Sequence, residues 1–152
     1  MPEIRRTALV EHSVARMFAL VNDVAAYPRR FDWCVAAEVR ERGEDRLVAR
    51  LDLRMGALRT WFVTENTLAP PHHIDMRLVE GPFRRLSGRW QFHALDECAC
   101  KVTLTLAFEP VSRLLAPALA IGFQGLADRM VDDFVRVADG DPGPLPVAAD
   151  GR

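Results

Sequence analysis

The side chains able to carry acid–base or metal chemistry are few in this chain and poorly grouped. Its four histidines stand at 12, 72, 73 and 93. His72 and His73 follow Pro70-Pro71, a breaker pair that predicts a solvated loop. His12 precedes Ser13, a residue suited to cap a helix. Cys98 and Cys100 offer two thiols, but no second cysteine or histidine pair lies at zinc-finger spacing, so they read as structural. With Cys34 they make three cysteines, an odd number that fits no disulfide framework and suits a reducing compartment. A catalytic cavity needs a nucleophile or proton-transfer groups aimed into it. By alternation, the polar residues on the apolar side of the strands are Thr60, Thr64 and Asn66, with Glu41 at a strand end. Asp75 and His93 fall on the opposite side. Hydroxyls and an amide can orient a bound polar group but supply no general base. The expectation is therefore a binding protein with no catalytic residue, metal or cofactor.

The elements that must position those side chains are legible from hydrophobic period. Glu3 to Glu11 reads as a strand. Ser13 then caps a short amphipathic helix in which Val14, Met17, Phe18 and Val21 recur at helical spacing. Pro28 weakens its continuation, so Ala25 to Phe31 forms a second short helix or turn that positions Trp33. From Val35 the period becomes alternating, with Val35, Ala37 and Val39 on one face. Leu47, Ala49, Leu51, Leu53 and Met55 follow on the next strand, then Leu58, Thr60, Phe62 and Thr64 after the break at Gly56. Ile74, Met76 and Leu78 lead into a hairpin through Gly81-Pro82 whose apolar face carries Leu78, Leu86, Trp90 and Phe92, with Gly88 as a gap. Val102, Leu104, Leu106 and Phe108 complete the strands. After Pro110 about 25 residues turn helical, with Leu119, Phe123, Leu126, Met130 and Phe134 on one face. Asp132 and Arg136 are spaced to pair along that helix. Residues 1–139 thus form one domain, and 140–152 read as a flexible C-terminal tail.

Bulk properties narrow the class. A chain of 152 residues suits one core that buries roughly two thirds of its unfolded surface. With 20 basic against 21 acidic residues there is no global field to attract nucleic acid. The longest apolar run, Leu114 to Gly122, is interrupted by Pro117 and is far shorter than the ~20 residues that span a bilayer. Met1 leads into the charged PEIRR with no signal-peptide pattern, which predicts a cytoplasmic protein, peripheral at most to the inner face of the cytoplasmic membrane.

One long helix against a wide apolar sheet predicts an α+β fold in which the sheet curls around the helix and diverges from it toward one end, leaving an apolar cavity. The residues also carry a family likeness. HSVARMFALVNDVAAYP (12–28), WCV (33–35), LVEGPFRRLSGRWQF (78–92), SRLLAPAL and LADRMVDDFVRVA near the end resemble the coenzyme Q-binding branch of the START-like (SRPBCC) superfamily. That superfamily also includes bacterial ribosome-association toxins and, more distantly, the polyketide cyclase/dehydrase group. The resemblance implies a helix-grip fold: a curved antiparallel sheet wrapped around a long C-terminal helix, with two short helices after the first strand. Before WCV the chain departs from its relatives, with Arg30-Phe31-Asp32 in place of an apolar residue and a proline.

From the resemblance, the expected ligand is ubiquinone or a related polyprenyl lipid, bound without catalysis in support of respiratory quinone function. Polyketide cyclase or aromatase activity stays open. The expected walls are Leu51, Leu53, Phe62, Met76, Leu78, Trp90, Phe92, Leu104, Leu106, Phe123, Leu126 and Met130, with Thr60, Thr64 or Trp33 at the head group. The apolar stretch from Leu114 to Phe123 would form the mouth and touch a membrane during loading. The alternative is a toxin that docks on the large ribosomal subunit and blocks subunit joining, through arginines 40, 42, 46, 50, 54 and 59 on the outward sheet face. Trp61 and Val63 on that face mark a candidate partner or dimer contact, with the oligomeric state open between monomer and weak dimer.

Overall fold

The computed structural model describes residues 3–140. Of the expected tail 140–152, Gly140 is instead the last residue of the final helix, and residues 141–152 lie outside the described residues. Strand β1 (Glu3–Val10) is followed by α1 (Val14–Asn22), a short 3-10 turn (Val24–Ala26) and α2 (Tyr27–Arg30). Six strands then run consecutively: β2 (Cys34–Arg42), β3 (Arg46–Met55), β4 (Leu58–Ala69), β5 (His73–Glu80), β6 (Phe83–Asp96) and β7 (Ala99–Pro110). The 25-residue helix α3 (Ala116–Gly140) closes the order. All seven strands form one antiparallel sheet in the order β1-β7-β6-β5-β4-β3-β2, so only β1 is placed out of sequence.

Local chemistry accounts for these elements. Ser13 accepts from the Arg16 amide at 3.1 Å, satisfying one of the unpaired donors of the first turn of α1. The β5–β6 turn uses Gly81 at φ 148°, where a side chain would also crowd Trp61 O and Phe62 Cα at 3.1 and 3.2 Å. The apolar stripe of α3 faces the sheet, burying Leu119, Phe123, Leu126, Met130 and Phe134. Burying a large apolar side chain stabilises by about 1.5–3 kcal/mol relative to leaving it exposed, so this stripe is the main anchor of the helix. On its other side Arg6 of β1 bonds Asp128 and Asp132 at 3.3 and 2.7 Å.

Several expectations are corrected here. A bulge between Cys34 and Ala36 turns Val35 outward, away from Ala37 and Val39. Asp132 is held by Arg6 rather than by Arg136, which pairs instead with Asp133 at 3.2 Å. The outward Trp61 and Val63 are no open contact patch. Val63 is fully buried, and the Arg50 guanidinium lies 4.3 Å above the Trp61 ring. The arginine row is likewise divided. Arg40 pairs with Glu38 and Glu80, Arg46 with Glu41 and Glu65, and Arg50 with Asp52. Arg42, Arg54 and Arg59 have no ion pair among the described residues.

Candidate ligand cavity

An apolar cavity of about 60 Å³ lies between the sheet and α3. Its strand walls come from Ala49, Leu51 and Leu53 of β3, Phe62, Thr64 and Asn66 of β4, Ile74 and Met76 of β5, Leu86 to Gly88 and Trp90 of β6, and Leu104 and Leu106 of β7. Phe123, Leu126 and Met130 of α3 cover it, and Val21, Asn22, Val24 and Tyr27 close one side. Gly88 shapes the floor. A Cβ there would sit 2.6 Å from Met76 Cε and 2.8 Å from Leu106 Cδ2, so both neighbours lean over the glycine and narrow the space. The volume is room for a few water-sized molecules, and a larger guest requires these flexible side chains to move.

Of the side chains expected at a ligand, Leu51, Leu53, Phe62, Thr64, Met76, Trp90, Leu104, Leu106, Phe123, Leu126 and Met130 stand on the cavity wall. Trp33, Leu78 and Phe92 do not. Trp33 is fully buried in an aromatic cluster, stacked on Phe31 at 4.8 Å with Phe134 at 6.4 Å, and its Nε1 donates to Asp133 Oδ2 at 2.9 Å. Its donor is therefore committed to α3. Phe92 stacks with Trp90 and meets the edge of Phe18 of α1, which covers it from the side. Leu78, opposite Thr64, is half-buried against the core beyond the cavity. Thr60 lies on a shallow surface depression beside Val35 and Trp61.

The polar groups on the wall are sparse. Thr64 Oγ1 donates to Asn66 Oδ1 at 2.8 Å, both residues buried. Asn22 Oδ1, across on α1, is buried without a hydrogen-bond partner in the protein. Such an acceptor favours a guest or water that donates to it. The Tyr27 hydroxyl donates to the Val21 carbonyl, and burial raises its pKa well above the ordinary 10. Sequence reasoning missed Asn22 and Tyr27. Their neighbour Pro28 marked a break in the helix, but only the tertiary path shows that the break folds back over the sheet.

A curved seven-stranded antiparallel sheet closed by one long helix over an apolar cavity is the helix-grip architecture of START-like proteins. Solved structures share it: TTHA0849 from Thermus thermophilus (TM-score 0.83, 19% identity, covering 93% of this chain and 100% of that one), and the Zhui aromatase/cyclase from Streptomyces (TM-score 0.76, 20% identity, 99% of each chain). Residues 10–135 match the family model described as polyketide cyclase/dehydrase and lipid transport, and the chain belongs to that family. Among curated relatives, the ribosome association toxin RatA of Vibrio cholerae is 43% identical over 91% of this chain and 96% of its own length. RatA of Pseudomonas aeruginosa is 42% identical over 89% and 94%. The mitochondrial coenzyme Q-binding protein COQ10 of Drosophila melanogaster is more distant, at 26% identity over 90% of this chain and 58% of its own.

Proposed function

We propose that this chain acts by associating with the ribosome, as the RatA proteins are named for doing, and that it works without catalysing a reaction. The observation that carries this reading is identity of 42 to 43% along nearly the full length of both chains, against 26% for the quinone-binding relative. The cavity chemistry favours it too. Tyr27 is the one titratable side chain on its wall, kept protonated by burial, so no general base stands there near neutral pH. The finer step, docking on the large subunit to block joining, is tested by adding purified protein to ribosomes and sedimenting them through a gradient. The expected result is fewer joined ribosomes and more free subunits. An unchanged profile with protein remaining at the top overturns the reading.

A second reading is favoured by the cavity itself: carriage of an apolar ligand, with Thr64, Asn66 and Asn22 serving its polar end. Ubiquinone or another polyprenyl lipid fits the wall chemistry, but its size requires Met76, Leu106 and Met130 to give way. Organic extraction of gently purified protein followed by mass spectrometry tests it. Copurifying isoprenoid lipid, and a rise in Tm on adding quinone, are the expected outcomes. Empty extracts together with an unmoved Tm dispose of it.

A further inference from the structure

Antiparallel connectivity brings the β3–β4 turn, the β5–β6 turn and the β7–α3 connection to the same end of the sheet. Contacts tie them together. The Val111 amide donates to Pro82 O at 3.2 Å, the Phe83 and Phe123 rings lie 5.8 Å apart, and Gly122 packs on Met55. Most of the exposed large apolar side chains among the described residues stand at this end, with Leu9 and Leu95 at the other. Leu114 and Ile121 are 89% and 76% exposed, with Val111 and Leu115 beside them. From Pro110 to Ala127 the only charged residue is Arg113. The outward face of α3 is therefore uncharged in its first half, where Gln124 is polar, and charged only from Asp128 onward.

The unpaired charge at this end is mostly positive. Arg54 and Arg59 face each other in register across β3 and β4. Neither they nor Arg84 and Arg113 form an ion pair among the described residues. The acids of the neighbouring strands and loops are engaged: Asp52 by Arg50, Glu80 by Arg40, Glu109 by Arg85 and Asp32 by Arg129. Glu3, which has no ion pair among the described residues, lies out on β1 opposite Ala107.

We propose that this end of the molecule docks on an anionic lipid bilayer, with Leu114 and Ile121 entering the acyl boundary and Arg54, Arg59, Arg84 and Arg113 meeting headgroup phosphates. Stable surface binding needs an apolar and an electrostatic contribution together, and the two coincide here. An RNA surface would satisfy the arginines but offers no counterpart to the bare leucine and isoleucine. Two residues beyond Ile121, Phe123 lies on the cavity wall, so the docked segment is continuous with the lid of the cavity. The inference does not rest on ribosome association, which uses a separate assay.

The test is flotation of the full chain with phosphatidylglycerol-containing vesicles and with pure phosphatidylcholine vesicles. Binding is expected on the anionic vesicles, falling about fivefold for each of Arg54→Gln and Arg59→Gln. L114S/I121S should reduce it tenfold or more while leaving the circular dichroism spectrum unchanged. Leu9→Ser, at the far end of the sheet, should leave it intact. Absence of binding to the anionic vesicles, equal binding to both, or undiminished binding by L114S/I121S each overturns the proposal. So does a loss of ribosome association by L114S/I121S with vesicle binding unaffected, which would assign the patch to the ribosome.

Discussion

Trp33 and Asp133 show how one hydrogen bond decides what a side chain can do. The indole N–H is committed to the Asp133 carboxylate at 2.9 Å, fastening the β2 entrance to α3. Asp133→Ala leaves a buried donor unpaired and should cost about 1–3 kcal/mol, measured by urea unfolding followed by tryptophan emission. Sequence period could rank Trp33 as buried but could not say that its donor faces the helix rather than the cavity, because the partner lies 100 residues away. Burial pushes the Cys34 thiol up to about 11 from an ordinary value of 9. The unfolded chain therefore releases this proton first as pH rises. Stability contributed by the protonated thiol is full below pH 9 and is lost between about pH 9 and 11, at roughly 1.4 kcal/mol per pH unit. The same direction holds for Tyr27 at higher pH. Unfolding curves for wild type and Cys34→Ala across this range should show a shallower alkaline decline in the variant.

At the scale of elements, the β5–β6 hairpin turns on Gly81. Its φ is positive, and the Trp61 carbonyl oxygen stands 3.1 Å from where a Cβ would sit, so a side chain fits only if the β4 backbone gives by a few tenths of an ångström. Gly81→Ala should destabilise by more than about 1 kcal/mol, since strain adds to the clash; differential scanning calorimetry would read this as a lower Tm. The hairpin, the strict alternation of β3 and the stripe of α3 were legible in the residues, because each follows from one period and one breaker. The outward turn of Val35 was not. It depends on a one-residue bulge, which alternation does not anticipate and which flips every face assignment before it. The Asp132–Arg136 pairing failed for a related reason: spacing along one helix cannot register Arg6 arriving from β1.

For the whole molecule, the cavity is what remains when a sheet is too wide for the single helix that covers it. Gly88 keeps its floor low, and Met76 and Leu106 fill the space that a side chain would take. Leu106→Phe should occupy the remaining volume. The expected outcome is an unchanged or slightly raised Tm, together with loss of any uptake of apolar dye; dye uptake equal to wild type would show that guests enter elsewhere. Eight of the wall positions followed from strand parity and three from the helical period of α3, whereas the narrowness of the space did not, because it depends on how far two flexible side chains lean. The three tryptophans occupy three different surroundings: Trp90 on the cavity wall, Trp33 sealed in its aromatic cluster, and Trp61 half-exposed beneath Arg50. The protein thus carries its own optical reporters. Iodide should quench the Trp61 emission alone, and a guest in the cavity should alter Trp90 alone, so occupancy and surface docking can be followed separately in an unlabelled chain.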